Sequence, residues 1–116
     1  MRIDIQAHRF SVTEALRSHI ERRLFSVLSS SDEQIQRVDI RLSDINGPRG
    51  GADKCCRVRV VLSGLPDIVV DDFDIDMYVA IDRAANRAGR TVQRRVTRKR
   101  HRARIPVRFV PAPLED

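Results

Sequence analysis

The chain has 116 residues, 22 of them Lys or Arg and 16 Asp or Glu, with a formal net charge of +6 and 41% hydrophobic residues. That is material for one domain with a single modest core, and no apolar run approaches the ~20 residues of a membrane span. Four Phe, one Tyr and no Trp argue against a grip on unpaired bases by aromatic stacking and leave phosphate-dominated contact as the better fit.

Residues 2–8 alternate, with Ile3, Ile5 and Ala7 opposite Arg2, Asp4 and Gln6, the pattern of a half-buried strand. This N-terminus does not read as a signal peptide. Ser11 stands three residues before Glu14, a capping-box spacing that predicts a helix start. Leu16, Ile20, Leu24 and Val27 follow at helical intervals and form one apolar stripe. The helix is expected to end in Ser29–Ser31, with Asp32 and Glu33 in the connecting turn.

A second strand is expected from about Ile35 to Ile45, with Val38, Ile40 and Leu42 on one side. The composition of 46–51 predicts a loop. A third strand follows, with Cys56, Val58, Val60 and Leu62 opposed to Cys55, Arg57 and Arg59. The adjacent cysteines then point to opposite faces, so neither a mutual disulfide nor a shared metal suits them. Free thiols point to a reducing, cytoplasmic setting. Ser63–Pro66 makes a turn, and Ile68–Val70 opens a fourth strand whose inward face the sequence leaves open.

The second helix is expected from about Asp76, with Met77, Ile81, Ala84, Ala85, Ala88, Val92 and Val96 as its apolar arc. The fold class is therefore α+β, in the order β-α-β-β-β-α, a four-stranded sheet with two helices packed on one face. The first two strands should be parallel, the later ones antiparallel, and the other sheet face wet. Residues 1–100 form the domain, and 101–116 a basic, then Pro-containing tail expected to be flexible. A short strand at Val107–Val110 is the lesser alternative.

Charge is distributed unevenly. Residues 83–104 hold ten Lys or Arg and no acid, so of the net +6 the rest of the chain contributes −4. Residues 67–82 hold six Asp and no Lys or Arg. Nine of the ten basic residues are Arg, the side chain that suits planar phosphate contact, and the run reads as a surface for a polyanion rather than a merely solvated helix face. Arg83, Arg87, Arg90, Arg94 and Arg98 fall on a narrow outward stripe, a ladder with steps of about 5–6 Å. Beyond Val92, Arg95 and Lys99 rotate onto the formerly apolar side. The last turns are therefore expected to overhang the sheet as a basic arm through Arg100, His101, Arg102 and Arg104.

The acidic segment Asp72–Phe73–Asp74–Ile75–Asp76 has calcium-loop spacing, but Met77 and Arg83 stand where such a loop needs Gly and Glu. No metal site is expected, and Asp76 reads as a helix cap. His8, His19 and His101 have no partner at a motif spacing, and there is no phosphate loop or nucleophile elbow. No catalytic residue and no cofactor are expected.

Thr13–Glu14–Ala15–Leu16–Arg17 in the first helix and Asp76–Met77–Tyr78–Val79–Ala80–Ile81–Asp82 opening the second resemble the ribosome hibernation promoting factor family. That family includes the ribosome-associated inhibitor and is also labelled sigma-54 modulation proteins. The resemblance covers about residues 1–100 and is to the short form, without the dimerising module of the long form. It implies a fold similar to double-stranded-RNA-binding domains. It also implies a non-catalytic translation inhibitor, bound to ribosomal RNA of the small ribosomal subunit in the channel for messenger RNA and tRNA. Such a protein would idle ribosomes in stationary phase or stress, in the cytoplasm. Carried over by position, Arg23, Arg87, Arg90 and Arg94 match basic RNA-binding sites of the family. The stripe geometry adds Arg83, Arg95 and Arg98, and Lys99 is expected to bind RNA with them. Tyr78 and Met77 match the motif but read as packing residues. The expected partners are the small subunit and its RNA, with no membrane and no small-molecule substrate, and the protein is expected to be a monomer off the ribosome. The alternatives are a regulatory protein-binding module using the acidic 67–76 edge or an exposed strand, and a general double-stranded-RNA binder. Ala84, Ala88 and Ser26 depart from the residues frequent in that family.

Overall fold

The computed structural model describes residues 1–9, 11–45 and 53–104. The loop expected at 46–51 and the segment 105–116, with the strand weighed at Val107–Val110, lie outside these residues. The elements are β1 (Arg2–His8), α1 (Glu14–Leu28), a 3-10 helix (Ser29–Gln34), β2 (Ile35–Asp44), β3 (Lys54–Leu62), β4 (Ile68–Asp74) and α2 (Met77–Arg104). The sheet order is β1-β2-β3-β4. β1 runs parallel to β2, and the two later pairings are antiparallel. This is the expected α+β fold.

Local chemistry explains most boundaries. The start of α1 corrects the expected cap: Thr13, not Ser11, accepts a hydrogen bond from the Leu16 backbone N–H at 3.1 Å. Both residues are hydroxylic and stand just before the apolar stripe, so sequence alone favoured the wrong one of two good caps. The chain leaves α1 through the 3-10 helix, where the N-terminal amine lies 3.1 Å from Asp32. Gln36 is an extra residue in β2 where the register with β3 shifts, and it lets the strand end meet the Ser63 backbone N–H through Gln34. In the β3–β4 turn Gly64 takes φ 71°, a conformation that glycine alone adopts freely.

The period-2 pattern sorts the sheet as expected. Val38, Ile40, Leu42, Cys56, Val58, Val60 and Leu62 are buried beneath the helices. β4 resolves its open question: Ile68 and Val70 face inward and Val69 is exposed. From α1 come Leu16, Ile20, Leu24 and Leu28, with Val27 half-buried beside them. From α2 come Ala80, Ile81, Ala84, Ala85, Ala88, Val92 and Val96. Cys56 is inside and Cys55 half-exposed on the other face, both as free thiols. Burial pushes the Cys56 thiol up to about 12, so it behaves as a small hydrophobe.

The other sheet face is wet and charged. Arg57 grips Asp71 with two hydrogen bonds, at 2.7 and 3.0 Å. Arg59 grips Asp67 at 2.9 and 2.7 Å, and Arg37 meets Asp39 at 3.1 Å. The Arg57 hydrogen bonds hold the Asp71 carboxyl below its ordinary value of 3.8 against the opposing effect of burial.

Small residues bring the helices together. A Cβ at Gly89 would lie 2.8 Å from Val27 Cβ and 3.0 Å from the Val27 carbonyl oxygen. Gly89→Ala should therefore lower stability by about 1–3 kcal/mol of overpacking, offset by roughly 1 kcal/mol of helix propensity. Thermal denaturation reads the result, and an unchanged midpoint would mean that the helices part freely. A second expectation concerns pH. Because its folded pKa is depressed, Asp71 adds stability above 3.8 that is lost as pH falls through the folded value. Asp71→Asn should thus be less stable than the parent at pH 7, with the difference closing at pH 2 in urea titrations.

Candidate nucleic-acid interface

The basic run lies on α2, so the placement of that helix decides what its arginines can do. Asp76 starts it by accepting from the Tyr78 backbone N–H at 2.9 Å, and Asp74 accepts from the Asp76 N–H at 2.9 Å. That second bond, with help from Arg83, holds the Asp74 carboxyl below its ordinary value. The segment with calcium-loop spacing is thus used for capping and for arginine pairing. Among the described residues no three His, Cys, Asp or Glu side chains come together as a metal site. The alanine-rich arc then seats the helix on β3 and β4, and the opposite side looks outward.

The structure divides the expected ladder in two. Arg83 folds onto β4, with Nε 3.1 Å from Asp72, Nη2 3.0 Å from Asp74, and a 2.6 Å hydrogen bond donated to the Phe73 carbonyl. Arg87 donates to the Asp71 carbonyl at 2.7 Å and to Asp72 at 3.2 Å. Two alternate carbonyls on the free edge of β4 are therefore filled by guanidinium groups. Asp72 receives both arginines while its own side chain is only 13% exposed.

Arg90, Arg94 and Arg98 stay on the surface, within an arc of roughly 80° at 3.6 residues per turn. They flank an open depression shared with Gln93, Thr97 and His101. Among the described residues no carboxylate pairs with any of the three, and Arg94 reaches only the Thr91 hydroxyl, at 3.5 Å. Arg95 is half-buried on the flank of the helix. Lys99 turns back and donates to the Ser63 carbonyl at 3.3 Å, over Gly64. The helix continues beyond Val96, its last buried residue among those described, to Arg104, and residues 97–101 are exposed.

Arg23 lies at the α1–α2 seam. Its Nε is 3.3 Å from Asp82, and its guanidinium donates to the Asn86 side-chain oxygen. His19 Nε2 is 2.7 Å from the same Asp82 oxygen, and the His19 ring meets Tyr78 edge-on with centroids 4.9 Å apart. Sequence reasoning missed this cluster. Its members lie 63 residues apart, and spacing along the chain carries no signal of it. Chemically it is a clasp that holds one helix against the other, and it orients Arg23 away from free solution.

Comparison with known proteins agrees with the fold. A family model described as sigma 54 modulation protein / S30EA ribosomal protein matches residues 3–100. The solved N-terminal domain of Thermus thermophilus Protein Y is 27% identical, with a TM-score of 0.67 over 81% of this chain and 98% of that one. A ribosomal subunit interface protein from Coxiella burnetii shares the fold at 22% identity, with a TM-score of 0.72 over 84% of this chain and 99% of that one. No curated protein matches the sequence significantly.

The divided ladder predicts a divided response. Replacing Arg83 and Arg87 together by Ala should lower stability measurably, since Asp72 and Asp74 lose their partners and two backbone acceptors lose their donors. Replacing Arg90 and Arg94 together by Ala should stay within ~0.5 kcal/mol of the parent. Equal losses in chemical denaturation of the two variants would contradict this division.

Proposed function

The chain belongs to the sigma 54 modulation protein / S30EA ribosomal protein family, and from that premise we propose that it binds the ribosome and holds it out of translation. The binding surface in this reading is the outer side of α2, set against ribosomal RNA of the small subunit in the channel used by messenger RNA and tRNA. The protein inhibits by occupancy, without catalysis or cofactor. It works in the cytoplasm, during stationary phase or stress, as a monomer until it meets the ribosome.

The observation that carries this reading is the row Arg90, Arg94 and Arg98, exposed and without carboxylate partners among the described residues. Guanidinium groups one turn apart on a seated helix match a run of phosphates, and they need little reordering to bind one. Arg83 and Arg87 support the row by fixing the helix to β4, and Arg23 supports it through the seam with α1. The resemblance, carried over by position, implies RNA contacts at Arg23, Arg87, Arg90 and Arg94. The pairing seen at Arg23 and Arg87 makes Arg90 and Arg94 the sharper pair to test.

The acidic segment lends less to the alternative of a protein-binding edge. Asp67, Asp71, Asp72 and Asp74 are all engaged by arginines of the same chain. Little uncompensated negative charge is left there to attract a basic partner.

Arg90→Glu with Arg94→Glu should abolish co-sedimentation with purified small subunits while the circular dichroism spectrum and melting temperature stay close to those of the parent. Parent binding should weaken steeply with salt, with a log–log slope of roughly 0.7–0.9 per phosphate neutralised. Retained co-sedimentation of the folded variant would remove the basis of the proposal. Equal affinity of the parent for arbitrary RNA duplexes would favour a general double-stranded-RNA binder instead.

A further inference from the structure

The end of α2 differs in kind from its middle. The middle presents its cations on one side and packs with the other. After Val96 the helix has no buried residue among those described, yet it continues from Thr97 to Arg104, about 12 Å at 1.5 Å per residue. Arg98, Lys99, Arg100 and His101 follow one another at steps of roughly 100° and therefore point to all four quarters of the helix. All four are exposed.

Two bland explanations fail to cover this arrangement. The helix dipole favours cations only within the last turn, whereas this run starts earlier. A helix that is merely solvated gains from acid–base pairs three or four residues apart, and like charges at that spacing cost ~0.2–0.5 kcal/mol each. Here Arg94 and Arg98, then Arg95 and Lys99, stand four apart with no acid anywhere from 83 to 104. Unbound, this end repels itself. Its root is nonetheless fixed, because Lys99 donates to the Ser63 carbonyl at 3.3 Å above a glycine whose Cβ would come within 2.9 Å of the ammonium. A charge-ringed helix end on a fixed root cannot satisfy its cations against one flat surface.

We propose that the turns of α2 beyond Val96 form a peg that enters a cleft of folded RNA with phosphates on both walls. Arg98 faces one wall and Arg100, about 200° away around the helix, faces the other. The gap between two packed RNA segments provides such a cleft, whereas the narrow major groove of paired RNA is too tight for a helix about 10–12 Å across. The inference rests on the ribosome-binding reading and adds a second contact to the single-sided one made by Arg90 and Arg94.

The test uses the full chain with a photo-reactive p-benzoylphenylalanine at position 98 or at position 100, mixed with purified small ribosomal subunits. Both positions should cross-link to ribosomal RNA, at nucleotides on different strands or segments. Cross-linking from only one position, or from neither while the protein still co-sediments, overturns the peg and leaves the Arg90–Arg94 contact standing. A second measurement uses Arg100→Gln. It should remain bound at low salt with a log–log salt slope reduced by roughly 0.7–0.9, the equivalent of one phosphate. An unchanged slope overturns the peg. Failure of the unmodified parent to bind subunits at all removes the ribosome reading and the peg with it.

Discussion

Close approach governs this molecule. Ala80, Ala84, Ala85, Ala88 and Gly89 keep much of the underside of α2 small, and Val27 of α1 occupies the space a Cβ at Gly89 would need. A helix seated this low leaves only its long residues standing clear of the surface. On α2 those are arginines. The packing seam and the charged row are therefore two results of one pattern: small residues beneath, guanidinium groups above. The same seating brings Asp82 and Asn86 within reach of His19 and Arg23, so the helix pair locks at the point where it is thinnest.

Identical side chains serve different ends according to what lies beside them. Arg83 and Arg87 start from the same stripe as Arg90 and Arg94 but pass over β4, where Asp72 and two carbonyls wait. Farther along the helix no acid stands beside the stripe among the described residues. The boundary between the structural and the free arginines thus lies where the acidic strand ends. Of the six Asp of 67–82, Asp72 and Asp74 fold against two of the cations of 83–104, Arg83 and Arg87, at the β4–α2 junction.

Much of this was legible in the chain, because local periodicity reports burial directly. The alternation at Val38, Ile40 and Leu42 and the arc from Ile81 to Val96 depend on neighbours two to four residues away, and both lie where expected. What was hidden depends on pairing between distant segments. Nothing near Arg83 announces Asp72 as its partner until β4 is known to be an edge strand beneath α2. Nothing near His19 points to a residue 63 positions away. The cap at Thr13 was hidden for another reason: two hydroxyls compete within three residues, and the geometry of a turn decides between them. The ladder was visible as a row, but its division was not.

One consequence reaches beyond binding. A sheet has two rims, and either one can recruit another strand. With Arg83 and Arg87 plugging its carbonyls, the β4 rim is stoppered by its own chain, which among the described residues leaves β1 as the rim for a newcomer. Two copies meeting there would use up both available rims, and the assembly would stop at a pair. Growth into an endless ribbon needs an open rim at each end of every unit, and this chain keeps one of them shut with its own arginines.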